Sequence, residues 1–230
     1  MSHSHDDTIQ FTQEFWDDRY GSSGQLWSGQ PNPQLVAQTA DLAPGEALEA
    51  GCGEGADAIW LARQGWAVTA VDVSAVALDR AAGFAAAAGG EIAGRITWQR
   101  EDLRSWAPPP QRFDLVSAQY MHLPEAELDA LHRRLAAAVR PGGTLLVVAH
   151  HPDDLHALTG REGMFRTAEE LAASLDPAAW KIIVTGNVVR SATNMDGEPV
   201  TVRDTVLRAA RVANTGLRSR NADAGQTRLR

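Results

Sequence analysis

Five short, mostly apolar runs punctuate the chain at residues 46–50, 67–71, 96–99, 113–118 and 144–149, and between them apolar positions fall at helical spacing. Short runs that do not alternate with polar residues suit strands buried on both faces of a parallel sheet. Ile59, Trp60 and Ala62 form the first helical stripe, from Ala56 to a stop at Gly65. Ser74 caps an alanine-rich stretch that runs to Ala88 and halts at Gly89-Gly90. Leu128, Leu131, Leu135 and Val139 make a further stripe behind Pro124, and Thr167-Ala-Glu-Glu170 is a capping box that opens another helix. Upstream, Phe11, Phe15 and Trp16 predict an amphipathic helix over 9–20, and Pro33 to Thr39 predicts a second that ends before Pro44-Gly45. Near the other end, Lys181–Val189 and Val200–Arg208 are β-rich and joined by an Asp-Gly turn within Asn194–Gly197, so they pair antiparallel. The whole predicts an α/β fold: an open, mostly parallel seven-stranded sheet with helices on both faces and an antiparallel last strand.

With 230 residues, 44% hydrophobic and 22% charged, the chain fits one soluble domain with a full core. No run of eighteen apolar residues and no signal-peptide pattern is present, which gives the expectation of a cytoplasmic protein that does not engage membrane. Cys52 is the only cysteine, so an internal disulfide and a multi-cysteine zinc site are excluded. The formal net charge is −8. Residues 212–230 hold Arg218, Arg220, Arg228 and Arg230 against Asp223, or +3, which leaves −11 for the rest. An acidic body argues against a nucleic-acid substrate, because phosphate contacts need clustered lysine and arginine. The basic end, rich in Asn, Gly and Ala, is expected to be a disordered tail.

Chemistry concentrates between Leu48 and Ser74, where strand, glycine turn, helix, strand and acid follow one another. Gly51, Gly53 and Gly55 let the backbone turn sharply and approach a ligand, and the helix from Ala56 points unbonded N–H groups at it. Asp72, ending the second strand, is placed to accept from a ribose diol. These residues predict a nucleoside-containing cofactor. The G-x-G-x-G spacing lacks the six-residue glycine pattern of a dinucleotide site, the nearest rival.

Glu49-Ala-Gly-Cys-Gly-Glu-Gly55 with Asp72 resembles the cofactor motif of the class I S-adenosylmethionine (SAM) methyltransferases. The Gln119–Pro124 segment after the fourth strand and Arg140-Pro-Gly-Gly143 before the fifth extend the likeness. Phe15–Tyr20, Leu26-Trp27-Ser28-Gly29 and Pro31-Asn-Pro33 resemble the start of small-molecule methyltransferases near the thiopurine and tellurite-resistance groups. The resemblance implies a Rossmann-like fold and SAM as cofactor. It divides the chain into a helical lid over 1–45, a methyltransferase domain over 46–211 and the tail over 212–230. It places Glu49, Gly51, Gly53 and Gly55 at the methionine end, Asp72 at the ribose, Asp102 at the adenine and Gln119 near the sulfonium, with Trp27 as cover and Cys52, Val73 and Leu103 as further cofactor-binding residues; Asp102 also reads as a helix N-cap, and Trp27 as an anchor of its loop to the core. Cys52 also reads simply as a small residue that fits between two glycines.

Methyl transfer from an activated sulfonium asks the protein mainly to position donor and acceptor and to exclude water. A thiol, already several per cent ionised at neutral pH, needs no strong base. The expectation is therefore a small-molecule acceptor, with a lean to a thiol or other chalcogen. O- or N-methylation of a secondary metabolite is the alternative, with a base drawn from His122, His150 or His151 and Tyr120 as orienting group. A non-catalytic SAM-binding protein is a further alternative. His150, His151, Asp153, Asp154 and His156 also permit a metal reading, but an aspartate there serves equally as a helix cap and adjacent strand histidines face opposite sides, so no metal is expected. The oligomeric state has no signal in the sequence.

Overall fold

The computed structural model describes residues 12–22, 24–153, 164–193 and 199–213. The elements run α1 (Gln13–Gly21), α2 (Pro33–Thr39), β1 (Glu46–Ala50), α3 (Ala56–Arg63), β2 (Ala67–Asp72), α4 (Ala75–Ala88), α5 (Gly90–Ala93), β3 (Ile96–Arg100), β4 (Phe113–Gln119), α6 (Glu125–Ala138), β5 (Val139–His150), α7 (Ala168–Ala173), β6 (Trp180–Thr193) and β7 (Pro199–Arg211). Seven strands form one sheet in the order β3-β2-β1-β4-β5-β7-β6. The pairings β1–β2, β1–β4, β2–β3 and β4–β5 are parallel, whereas β7 runs antiparallel to both β5 and β6.

The expected α/β sheet is thus present, and its local devices are those of the sequence. Ser74 accepts from Ala77 N as N-cap of α4, Thr167 and Glu170 form the reciprocal capping box of α7, and Gly65 turns the chain at φ 95° after α3. Several boundaries differ: β6 and β7 extend beyond the predicted 181–189 and 200–208, and Val139 leaves the predicted α6 stripe to begin β5. Gly89-Gly90 does not stop helix altogether: the chain kinks at Gly89 (φ 125°) and makes one more turn, α5. The fifth strand begins at Val139 rather than Thr144, because Val139 pairs with Phe113 and a bulge between Phe113 and Leu115 absorbs Arg140-Pro-Gly-Gly143. The Asn194–Gly197 turn, the first residues of the predicted 9–20 helix and the tail beyond residue 213 lie outside the described residues.

Consecutive strand residues serve opposite layers, which is why the central strands are apolar throughout. Leu145, Val147 and Leu207 pack with Leu131 and Leu135 of α6 and Leu171 of α7. Their neighbours Leu146, Val148 and Val206 pack with Leu35 of α2 and Ile59 and Leu61 of α3 on the other face. Among the described residues no helix is long and apolar enough to cross a membrane.

Candidate functional site

The carboxyl ends of β1, β2, β4 and β5 meet at one edge of the sheet, the side on which open α/β folds bind ligands. Gly51, Gly53 and Gly55 all have positive φ there, at 72°, 50° and 82°. At the first two, the missing Cβ leaves room for neighbours from other segments. A Cβ on Gly51 would lie 2.5 Å from Met121 Sδ, and one on Gly53 would lie 2.8 Å from the Tyr20 hydroxyl. The turn is fastened to β2, since Gly51 N and Cys52 N donate to Val71 O and Gly53 N donates to Asp72 Oδ2.

Acidic groups line this edge at unequal cost. Glu49 is 1% exposed, its carboxyl is pushed well up by burial and by the nearby Asp57 charge, and its Oε2 has no hydrogen-bond partner among the described residues. Burial likewise raises Asp72, although Ser74 N and Gly53 N donate to it. Backbone donors at Gly53, Val73 and Ser74 still leave acceptor capacity on that carboxylate. Cys52 is buried, and burial with the Asp72 charge pushes its thiol up rather than activating it, which agrees with a space-filling role. Asp102, just past β3, is bound by its own neighbour: Arg104 donates through its backbone N (2.9 Å) and through Nε and Nη2 (2.6 Å). Leu103 beside it is buried, and Val73 follows Asp72 at the edge.

The N-terminal segment lies over the turn, held by contacts that sequence inspection missed. Glu54 accepts from Leu26 N and Trp27 N, each at 3.0 Å, and pairs with Arg80 at 3.1 Å. Asp57 accepts from Asn32 N at 2.6 Å, while the Asn32 side chain caps α2 and donates to Gln119 Oε1. Asp17 of α1 accepts from the Ser74 hydroxyl and Val76 N. Trp27 is half exposed, and its Nε1 donates to the buried Tyr20 hydroxyl above Gly53.

At the β4–β5 end the rings gather. Tyr120 and His150 lie 4.6 Å apart, His150 and His122 stack at 5.7 Å with planes 7° apart, and Phe165 meets both imidazoles edge-on. Met121 and Met164 line a cavity below, with His132 and Arg166. His151 is not part of this row. It follows β5, is 6% exposed, and its Nδ1 accepts from Asp153 N. Among the described residues no cluster of three or more His, Cys, Asp or Glu could hold a metal ion; Asp154 and His156 lie outside them.

A ligand with a cationic amine and a diol fits what the edge offers: a buried carboxyl with an unpartnered oxygen and a second with spare lone pairs.

Residues 47–143 match the family model of a methyltransferase domain. The chain is 36% identical over 112 residues to ribosomal RNA small subunit methyltransferase C of Alcanivorax borkumensis, covering 46% of this chain and 33% of that protein. It is 35% identical over 145 residues to trans-aconitate 2-methyltransferase of Rhizobium meliloti, covering 62% of this chain and 51% of that one. The chain thus spans between a third and about half the length of the curated relatives it first matches. Among solved structures, one from work on the conversion of a disulfide bond into a thioacetal group during echinomycin biosynthesis superposes with a TM-score of 0.70 at 25% identity, covering 88% of this chain and 93% of that one. The sheet is therefore the Rossmann-like methyltransferase sheet, and the domain match implies SAM as the cofactor.

Proposed function

We propose that this chain, which carries a SAM-dependent methyltransferase domain over residues 47–143, transfers methyl groups to a small molecule, with a sulfur or other chalcogen atom as acceptor. The observation that carries the reading is the juxtaposition of the roofed glycine turn with the ring row: Met121, whose sulfur fills the space beside Gly51, is the residue between Tyr120 and His122 in the chain, and His150 joins those two rings into the row. When bound, SAM supplies an electrophilic methyl group on a sulfonium. Glu49 and the Gly51–Gly55 backbone hold the methionine end, Asp72 the ribose and Gln119 the neighbourhood of the reacting atoms. Asp102 and Leu103 border the adenine, with Arg104 holding the Asp102 carboxylate in place. Trp27 and Tyr20, fastened by Glu54, exclude water, and residues 12–45 act as the lid.

The lean to sulfur is supported by the lining. Met121 and Met164 line the cavity, and Phe165 stands beside His122 and His150; thioethers and aromatic rings are polarisable groups with which sulfur makes favourable contacts. The related structure concerns a reaction at disulfide sulfur, and the N-terminal segment resembles enzymes of soft acceptors. A second reading, O- or N-methylation with an imidazole base, is favoured by the pair of stacked histidines at the same place and by the likeness to the trans-aconitate enzyme.

Two measurements test the proposal. Titration calorimetry with S-adenosylhomocysteine is expected to give binding that Asp72→Ala weakens tenfold or more; equal binding by the variant removes the ribose assignment. Transfer of labelled methyl to a panel of thiols, selenite and tellurite is expected, with phenols, amines and carboxylic acids slower. The reverse order, with rate lost in His122→Ala or His150→Ala and regained at high pH, establishes the second reading instead.

A further inference from the structure

The groups behind Tyr120 are not explained by cofactor binding. Tyr120 leaves β4 with φ 49°, a left-handed conformation that is strained for a bulky residue and persists only where surroundings enforce it. Two sets of contacts do so. Its N–H donates to Val148 O at 2.8 Å, which carries the β4–β5 ladder one residue further. Its hydroxyl donates to Asp204 Oδ1 at 3.0 Å and accepts from Arg190 Nη2 at 2.9 Å, while Arg190 Nε closes the triangle on Asp204 Oδ2 at 2.6 Å.

The triangle draws on β4, β6 and β7, so the tertiary sheet alone assembles it. Asp204 is 0% exposed, and a carboxylate there is tolerated only because both oxygens are met by donors. Arg190 reaches it diagonally, since the register pairs Asp204 with Val188 and Arg190 with Val202. The guanidinium carbon also lies 6.0 Å from the Tyr120 ring centre. Burial and the Asp204 charge raise the Tyr120 phenol above its ordinary range, so it stays a protonated donor. Asp204 stands opposite His150 in the β5–β7 register, and it is the His150 ring that the Tyr120 ring faces at 4.6 Å.

We infer that Arg190 and Asp204 are positioning residues for the acceptor: by locking the Tyr120 hydroxyl they fix one end of the Tyr120–His150–His122 row, and so set the planes of the two imidazoles against which the acceptor lies. This rests on the proposed reading of the site as a methyltransferase centre. The row runs from Tyr120, whose hydroxyl is held by Arg190 and Asp204, through His150 to His122, and the next residue back in the chain from His122, Met121, packs beside Gly51. The clamp acts through Tyr120 and His150 and touches neither the glycine turn nor Asp72, which separates its effect from that of cofactor binding.

The test compares the full chain with Tyr120→Phe, Asp204→Asn and Arg190→Lys. The imidazole C–H signals of His150, identified by their loss in His150→Gln, are followed by NMR alongside calorimetry with S-adenosylhomocysteine. In Tyr120→Phe and Asp204→Asn the His150 signals are expected to move by several tenths of a part per million. With Arg190→Lys, which keeps the charge but not the fork, a smaller shift is expected. S-adenosylhomocysteine binding stays within twofold throughout. With the acceptor that the panel above turns over, kcat falls tenfold or more in Tyr120→Phe and Asp204→Asn and recovers in part in Arg190→Lys. His150 signals that coincide with wild type in all variants, or an unchanged kcat, overturn the inference. Should Asp204→Asn not fold, Tyr120→Phe and Arg190→Lys, at the more exposed end of the triangle, decide it. Failure of the wild type to bind S-adenosylhomocysteine refutes the cofactor reading, while the ring signals still report whether the clamp exists.

Discussion

Asp57 shows how one buried carboxyl ties the lid to pH. It sits in the first turn of α3, accepts the Asn32 N–H, and is nonetheless pushed up to about 6 by burial. Since its folded value exceeds the unfolded one, near 3.9, the native state binds more protons between about pH 4 and 6. Stability contributed by this group is complete below pH 4, is lost as pH rises through that window, and does not change further above it. Glu49 and Asp72 are raised in the same direction and steepen the same trend. Asp57→Asn keeps an acceptor for the Asn32 N–H without the charge. Urea unfolding at pH 4.5 and 7.5 should therefore show the variant gaining on wild type with pH, by at most about 3 kcal/mol for a shift of two units. A variant that does not gain contradicts the buried-charge account. The acids of this edge are thus costly in the folded chain, as groups built to meet a cation are.

The N-terminal segment illustrates what an element can owe to a single side chain. α1 carries little apolar stripe of its own, and the loop from 24 to 32 has no regular structure. Its seat depends on Glu54, whose hydrogen bonds to Leu26 N and Trp27 N are each of a kind that contributes about 1.5–3 kcal/mol. Glu54→Ala is expected to accelerate amide exchange at Leu26 and Trp27 by tenfold or more and to leave the amides of β1, β4 and β5 unchanged. Uniform acceleration across both regions indicates global destabilisation and refutes a local clasp. α6 depends instead on packing: Leu131 and Leu135 are fully buried, and Leu131→Ala should cost about 2–5 kcal/mol in denaturant unfolding.

For the molecule as a whole the decisive step is the insertion of β7. The last strand does not add at the edge but enters between β5 and β6, so β5 gains its second neighbour only when the end of the sheet is complete. Val206, Leu207 and Ala209 then fill both layers, and Arg211 donates to the Val139 carbonyl at the foot of β5. A chain cut after Thr193 leaves β5 with an unpaired edge and β6 with no partner at all. Such a chain should show no cooperative thermal transition; a sharp transition near the wild-type midpoint would mean that β1 to β5 close a core without β7.

The five parallel strands, the helices between them and the turn at Gly51–Gly55 with Asp72 could be read along the chain because each depends on near neighbours: apolar runs, caps and glycines act over a few residues. The antiparallel pair could be read from two β-rich runs and a turn, yet the order β5-β7-β6 could not, since nothing local says which strand becomes the edge. Likewise Tyr120, His122 and His150 announced themselves as polar rings at strand ends, and strand alternation already set His151 opposite His150, whereas the arrangement of the first three into a row follows from how β4 and β5 lie side by side. Asp17, Glu54, Asp57, Arg190 and Asp204 looked like ordinary surface charges. Only the tertiary structure brought them partners from segments 14 to 84 residues away, because a charge acquires its partner from whatever the fold sets opposite it.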